Sequence, residues 1–127
     1  MATQLTPDEM KAFVRQHFED FINNKKSEVL RHNMTSDFLD HDGPGGRSAG
    51  VADEEKMVHG MYALGIRVTI DEMVAEGDKV VCRNTWRWND KNSGTPMEFR
   101  GFVEWRFEGK KIAERWATVT APYETSE

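Results

Sequence analysis

Apolar residues along this chain change their period once, near residue 66. Before that point they recur at helical spacing, and after it they alternate with polar ones. Met10, Phe13, Val14, His17, Phe18, Phe21 and Ile22 fall on one wide helical stripe. Thr6, Pro7 and Glu9 supply the start of that helix: a capping hydroxyl, a proline at the first helical position, and a glutamate three residues after the cap. Asn23 and Asn24 end it. A shorter helix is expected from Ser27, carrying Val29 and Leu30. Phe38 and Leu39 read as anchors of a transition, with one short strand expected over Ser36 to His41, and Gly43-Pro44-Gly45-Gly46 as a turn. A third helix is expected over Val51 to Leu64. Asp53, Glu54 and Glu55 suit the positive end of its dipole. Met57, Val58, Met61, Tyr62 and Leu64 form its buried face, and Gly65 is a left-handed terminator.

From Ile66 the pattern is that of strands. Val68 and Ile70 alternate with polar residues, Gly77-Asp78 turns the chain, and Val80 to Trp88 is dense in β-formers. Asn89 to Pro96 is a polar loop. Met97 to Phe107 is a long strand, Glu108-Gly109-Lys110 turns it back, and Ile112 to Thr120 closes the set. Helices followed by an antiparallel meander give an α+β class. Phe99, Gly101, Val103, Trp105 and Phe107 share one face of their strand. Glu98, Arg100, Phe102, Glu104 and Arg106 share the other. Strict alternation in the last strand sets Ile112, Glu114, Trp116 and Thr118 against Ala113, Arg115, Ala117 and Val119. Bulky residues on both faces predict that one side meets the helices and the other a second copy of the chain, giving a homodimer.

Composition narrows the class. The 127 residues, with a core over about 7–120, suit one domain able to build a hydrophobic core unaided. A lone cysteine, Cys82, excludes an intrachain disulfide and fits a reducing compartment. No apolar run reaches membrane-span length, and Met1 to Asp8 lacks a secretory pattern, so a cytoplasmic protein without membrane contact is expected. The net charge of −5, with signs interspersed and lysines in isolated doublets, argues against nucleic acid as a partner. Glu124 to Glu127 reads as a solvated tail.

Four local motifs then carry a resemblance. They are Phe38-Leu39-Asp40-His41-Asp42-Gly43-Pro44, Gly77-Asp78-Lys79-Val80 with the following Arg83, Glu98-Phe99-Arg100-Gly101, and Lys111-Ile112-Ala113-Glu114-Arg115-Trp116. In this order and spacing, over about Pro7 to Thr120, the chain resembles the SnoaL-like polyketide cyclases of the nuclear transport factor 2-like superfamily. The resemblance implies a cone: a strongly curved antiparallel sheet and three N-terminal helices around a deep apolar pocket. It implies work without a metal or organic cofactor. Relatives include cyclases, isomerases, dehydratases and epoxide hydrolases, and some only bind or dimerise. The cyclases' acid follows the tryptophan of the closing run, where this chain has Ala117. Arg83 matches the epoxide hydrolases' arginine, with Thr85 and Ala117 in place of its flanking carboxylates.

Candidate chemistry follows from the residues and that resemblance together. His41, between Asp40 and Asp42, is either a general base or a turn histidine bonded to local backbone; Asp42 is the rival base. Arg83 is either an oxyanion-holding pocket cation or a partner of Glu98, Glu104 or Glu114. Arg115 is a second pocket cation or a cross-strand bridge. Phe18, Met61, Tyr62 and Phe99 are the expected apolar wall. Trp116 is assigned to an interface. His32, Asp37, Asp40, His41 and Asp42 match no metal-ligand spacing. The expected function is that of a cone that binds a small apolar carbonyl-type molecule and performs cyclase- or isomerase-type proton transfer. The alternatives are a non-catalytic dimeric binding module and an epoxide hydrolase-like enzyme.

Overall fold

The computed structural model describes residues 4–125. Helix α1 spans Pro7–Phe18 and runs on as a π-type turn over Glu19–Asn23. Its capping box is complete: Thr6 Oγ1 accepts from the Glu9 N–H at 3.2 Å, and Glu9 Oε1 accepts from the Thr6 N–H at 2.9 Å. Helix α2 is Glu28–Asn33, and α3 is Val51–Leu64, ending at Gly65 with φ 75°. The strands are β1 (Met34–Asp40), β2 (Arg67–Glu76), β3 (Lys79–Asn89), β4 (Pro96–Glu108), β5 (Lys111–Val119) and β6 (Tyr123–Glu124).

The order across the six-stranded sheet is β1-β5-β4-β3-β2, with β6 pairing β4 beyond the end of β5. The sheet is open, since β1 and β2 are its edges. Helices then meander is the expected class, with two differences. β1 pairs parallel to β5, so the sheet is mixed rather than wholly antiparallel. Tyr123–Glu124 pairs with Met97 and Glu98, so Glu124 is in a strand rather than a tail. Residues 126 and 127 of the expected tail lie outside the described residues.

One sheet face is covered by α1 and carries Val80, Cys82, Val103, Trp105, Phe107 and Ile112, all buried. Burying such side chains stabilises by about 1.5–3 kcal/mol each. Ile112 corrects the strict alternation. Arg106 pairs with Glu114 but Phe107 with Ile112, so Ala113 is an extra residue in β5. The bulge places both Ile112 and Arg115 on the inner face. Glu114 and Trp116 stay on the outer face with Arg106 and Glu104.

Candidate functional site

Within the cone lies a cavity of about 40 Å³. Phe18, Ile22, Met34, Met57, Met61 and Trp86 wall it, and Glu54, Trp105 and Arg115 are its polar points. That is room for about one water-sized group. A larger molecule enters only if side chains move, and the unbranched Met57 and Met61 are the adaptable part of the wall.

Sequence dictates how these polar groups reach the interior. In α3, Val51, Glu54, Val58 and Met61 recur at helical spacing, so Glu54 sits on the buried stripe with 4% exposure. Asp53, one position away, turns outward and its carboxylate accepts from the Gly50 N–H at 3.0 Å. In β1, Phe38 and Asp40 both point inward. The parallel register sets Asp40 opposite Arg115. Arg115 Nη1 donates to Asp40 Oδ2 at 2.9 Å and Oδ1 at 3.1 Å, and the Asp42 N–H donates to Oδ1 at 2.9 Å. Arg115 also lies over the Trp105 ring, 5.6 Å from its centroid.

Glu54 faces this ion pair. Burial, then a hydrogen bond to Asp40 and the charge of Asp40, push its carboxyl up to about 9, against the pull of Arg115. The group is a neutral acid at physiological pH. Glu54 Oε1 is buried with no hydrogen-bond partner in the structure. Glu54 therefore keeps its proton beside the Asp40–Arg115 ion pair. Deeper still, His17 accepts at Nδ1 from the Asn33 side-chain amide at 2.9 Å, and burial lowers its pKa to about 3, so it is neutral.

Several of the sequence-derived residues meet here and others do not. Phe18, Met61 and Arg115 line the cavity. Phe99 stacks on Trp86 from outside the lining, with ring centroids 4.7 Å apart. The Tyr62 hydroxyl donates to the Phe21 carbonyl, and burial raises its pKa to about 12. His41, Asp42 and Arg83 do not join them. With Asp40 turned inward, His41 turns out, stacks on Trp116 at 4.7 Å and bonds Glu114 at 2.7 Å. Asp42 is exposed and accepts from the Ala117 N–H at 2.8 Å. Arg83 pairs across from Phe102 on the outer face, half exposed, with Glu72 at 3.7 Å. The alternation that buries Cys82, Asn84 and Trp86 forces Arg83 outward. Convergence of His41, Asp42, Arg83 and Arg115 on one cavity is thus corrected. Among the described residues, no group of three or more His, Cys, Asp or Glu side chains is arranged to hold a metal ion, and no helix is long and apolar enough to cross a membrane.

Glu54 and Asp40 were not expected as site residues. Glu54 reads as a dipole-compensating charge until its i−3 and i+4 neighbours, Val51 and Val58, are counted. Asp40 reads as a flank of His41 until its parity with Phe38 is followed.

No significant match was found among curated proteins. Solved structures share the fold. AclR from Streptomyces galilaeus superposes with a TM-score of 0.79 at 18% identity, covering 91% of each chain. IdmH from Streptomyces antibioticus gives 0.77 at 19% identity, over 86% of this chain and 90% of that one. The epoxide hydrolase/cyclase-like enzyme SalBIII, of pyran ring formation in salinomycin, gives 0.76 at 13% identity, over 87% and 89%. These likenesses establish the cone, and the sequence profile of the SnoaL-like polyketide cyclases matches residues 12–120. With both the profile and the fold in agreement over most of its length, the chain belongs to the SnoaL-like polyketide cyclase family.

Proposed function

We propose that this protein binds a small, mostly apolar carbonyl compound in the closed end of its cone and catalyses proton transfer on it without a cofactor. The observation that carries this is Glu54: a neutral carboxylic acid in an apolar cavity, one oxygen unpartnered, backed by the Asp40–Arg115 ion pair. A carboxylic acid kept neutral at pH 7 by an apolar site can donate its proton to a bound ligand. Glu54 gives its proton to the ligand's oxygen, and the carboxylate so formed, favoured by the charge of Arg115, takes the α-proton, leaving the enol and restoring the Glu54 acid. This assigns to Glu54 the proton-transfer role that the sequence suggested for His41 or Asp42. Arg115, rather than Arg83, is the cation of this cavity.

The test is exchange of α-protons for deuterium in cyclic ketones, followed by NMR. Glu54→Gln keeps the size and loses the proton; it is expected to slow exchange by about 10²–10⁴-fold. Equal rates in wild type and variant overturn the assignment. A second reading, a dimeric binding module without catalysis, draws support from Ala117 at the position of the cyclase acid and from exposed Phe102 and Val74 on the outer sheet face. Binding of ketones with no exchange above the uncatalysed rate favours it.

A further inference from the structure

Near the start of β4, four strands set one row of side chains across the outer face of the sheet. Arg67 on β2 stands directly opposite Arg87 on β3, Arg87 opposite Glu98 on β4, and Glu98 opposite Tyr123 on β6. Arg100 follows two residues after Glu98, on the same face. Glu98 is the fixed centre. It is 4% exposed, and its carboxylate accepts from Arg87 Nε at 3.1 Å, from Arg100 Nε at 2.8 Å and from the Tyr123 hydroxyl. The buried carboxylate thus holds both guanidinium groups by one edge. Among the described residues neither uses its Nη groups in a hydrogen bond, and both side chains are more than half exposed.

Packing gives no reason for Arg67. Like charges directly opposite on neighbouring strands, with Cβ atoms about 4.5–5.5 Å apart, destabilise a sheet. Yet Arg67 faces Arg87, and among the described residues it has no ion pair or side-chain hydrogen bond to offset that. The row borders an open groove of about 820 Å³, which Arg67, Arg87, Glu98, Arg100 and Tyr123 all line. A groove of that size admits a small organic molecule. In a chain of net charge −5, it gathers three guanidinium groups against Glu98 and the exposed Glu124.

We propose that this groove is a second binding site, which takes a small organic molecule by its carboxylate or phosphate group, held between Arg67 and Arg87 with Arg100 beside them. An oxyanion there relieves the repulsion between the two arginines. The planar fork of a guanidinium matches carboxylate and phosphate oxygens two at a time. Glu98 lies beneath as a positioning residue, its oxygens already covered by three donors. One short row of cations is too small for a nucleic-acid backbone, whose binding uses many phosphate contacts. The groove shares no lining residue with the interior cavity, so the proposal stands apart from the proton-transfer reading.

The experiment is calorimetric titration of the whole chain at low salt with phenyl phosphate, benzoate and the neutral benzamide. Both anions are expected to bind, and benzamide is not. Arg67→Gln should weaken the anions about 10-fold or more, with Arg67→Lys between it and wild type, since lysine keeps the charge and loses the fork. Arg83→Gln, on the same sheet face but outside the groove, should keep wild-type affinity. Without ligand, Arg67→Gln should melt at or above the wild-type temperature, because a like-charge pair is removed. Absence of anion binding at millimolar concentration, or equal affinity in wild type and Arg67→Gln, overturns the proposal. Equal weakening by Arg83→Gln also overturns it, because the anions would then be drawn to the face at large. So does a wild-type dimer that Arg67→Gln dissociates in light scattering, since the row would then meet a second copy of the chain.

Discussion

Arg115 and Asp40 illustrate how much a single buried contact decides. Asp40 is almost wholly buried, and its charge is tolerable because Arg115 and the Asp42 N–H meet it. Removing one member of a buried pair typically costs about 3–5 kcal/mol, since the other is left uncompensated. Arg115→Met is therefore expected to destabilise by about that amount in urea denaturation. Asp40→Asn acts differently on Glu54. The Asp40 charge and hydrogen bond both raise the Glu54 pKa, and Arg115 lowers it. With the charge gone, the Glu54 carboxyl should titrate well below about 9 in a ¹³C NMR titration; no movement would show that Asp40 does not govern it. His41 gives the contrast. Its bond to Glu114 is partly exposed, so His41→Ala should cost only about 0–1 kcal/mol.

At the scale of elements, the site depends on β5. Its bulge at Ala113 resets the alternation so that Arg115 points inward, and its parallel pairing with β1 sets Asp40 against it. β5 also runs unusually close to β4 at Gly101. A Cβ there would stand 2.2 Å from the Thr118 carbonyl oxygen and 2.6 Å from Val119 Cα, both backbone atoms that cannot swing aside. Gly101→Ala must therefore push the strands apart, and about 1–3 kcal/mol of lost stability is expected in thermal or urea unfolding. A wild-type melting curve would show that the strands separate at no cost. The carboxyl site should feel the same change, because moving β5 moves Arg115.

For the whole molecule, two buried titrating groups predict an acidic optimum of stability. His17 is held neutral, with its pKa lowered from 6.5 to about 3, so the unfolded chain binds the extra proton as pH falls below 6.5. Stability then declines toward pH 3. Glu54 is held protonated, raised from 4.5 to about 9, so the unfolded chain releases a proton that the native state keeps. Stability declines as pH rises from 4.5 toward 9. The slopes oppose each other between 4.5 and 6.5, and the maximum belongs there. Each group contributes about 1.4 kcal/mol per pH unit within its window. Urea midpoints across pH should show the dome. Glu54→Gln should flatten its alkaline side and His17→Gln its acid side. A wild-type curve that stays level from pH 7 to 9 would contradict the neutral Glu54. At the same scale, self-association through the outer face is our proposal. Phe102→Glu should then shift a dimer to monomer in light scattering, and a wild-type monomer at micromolar concentration would refute it.

The sequence alone determined the elements, because they are local. The capping box at Thr6, the helical stripe of α1, the Gly65 stop and the alternation of β3 and β4 all act within a few residues, and the structure keeps each of them. Motif order carried the family and the cone. The site was decided elsewhere. Alternation in β3 already pointed Arg83 away from Cys82 and Trp86, and the period of α3 already placed Glu54 beside Val51 and Val58, so those two were legible in the pattern. The Asp40–Arg115 pair was not. It joins residues 75 positions apart through a parallel pairing and a one-residue bulge, and neither leaves a mark in local periodicity. Tertiary packing also set the protonation of Glu54 and His17, since the same side chains in water would be charged or titrating near their ordinary pKa values. Burial, which depends on every surrounding element at once, made one an acid held at neutral pH and the other an uncharged ring.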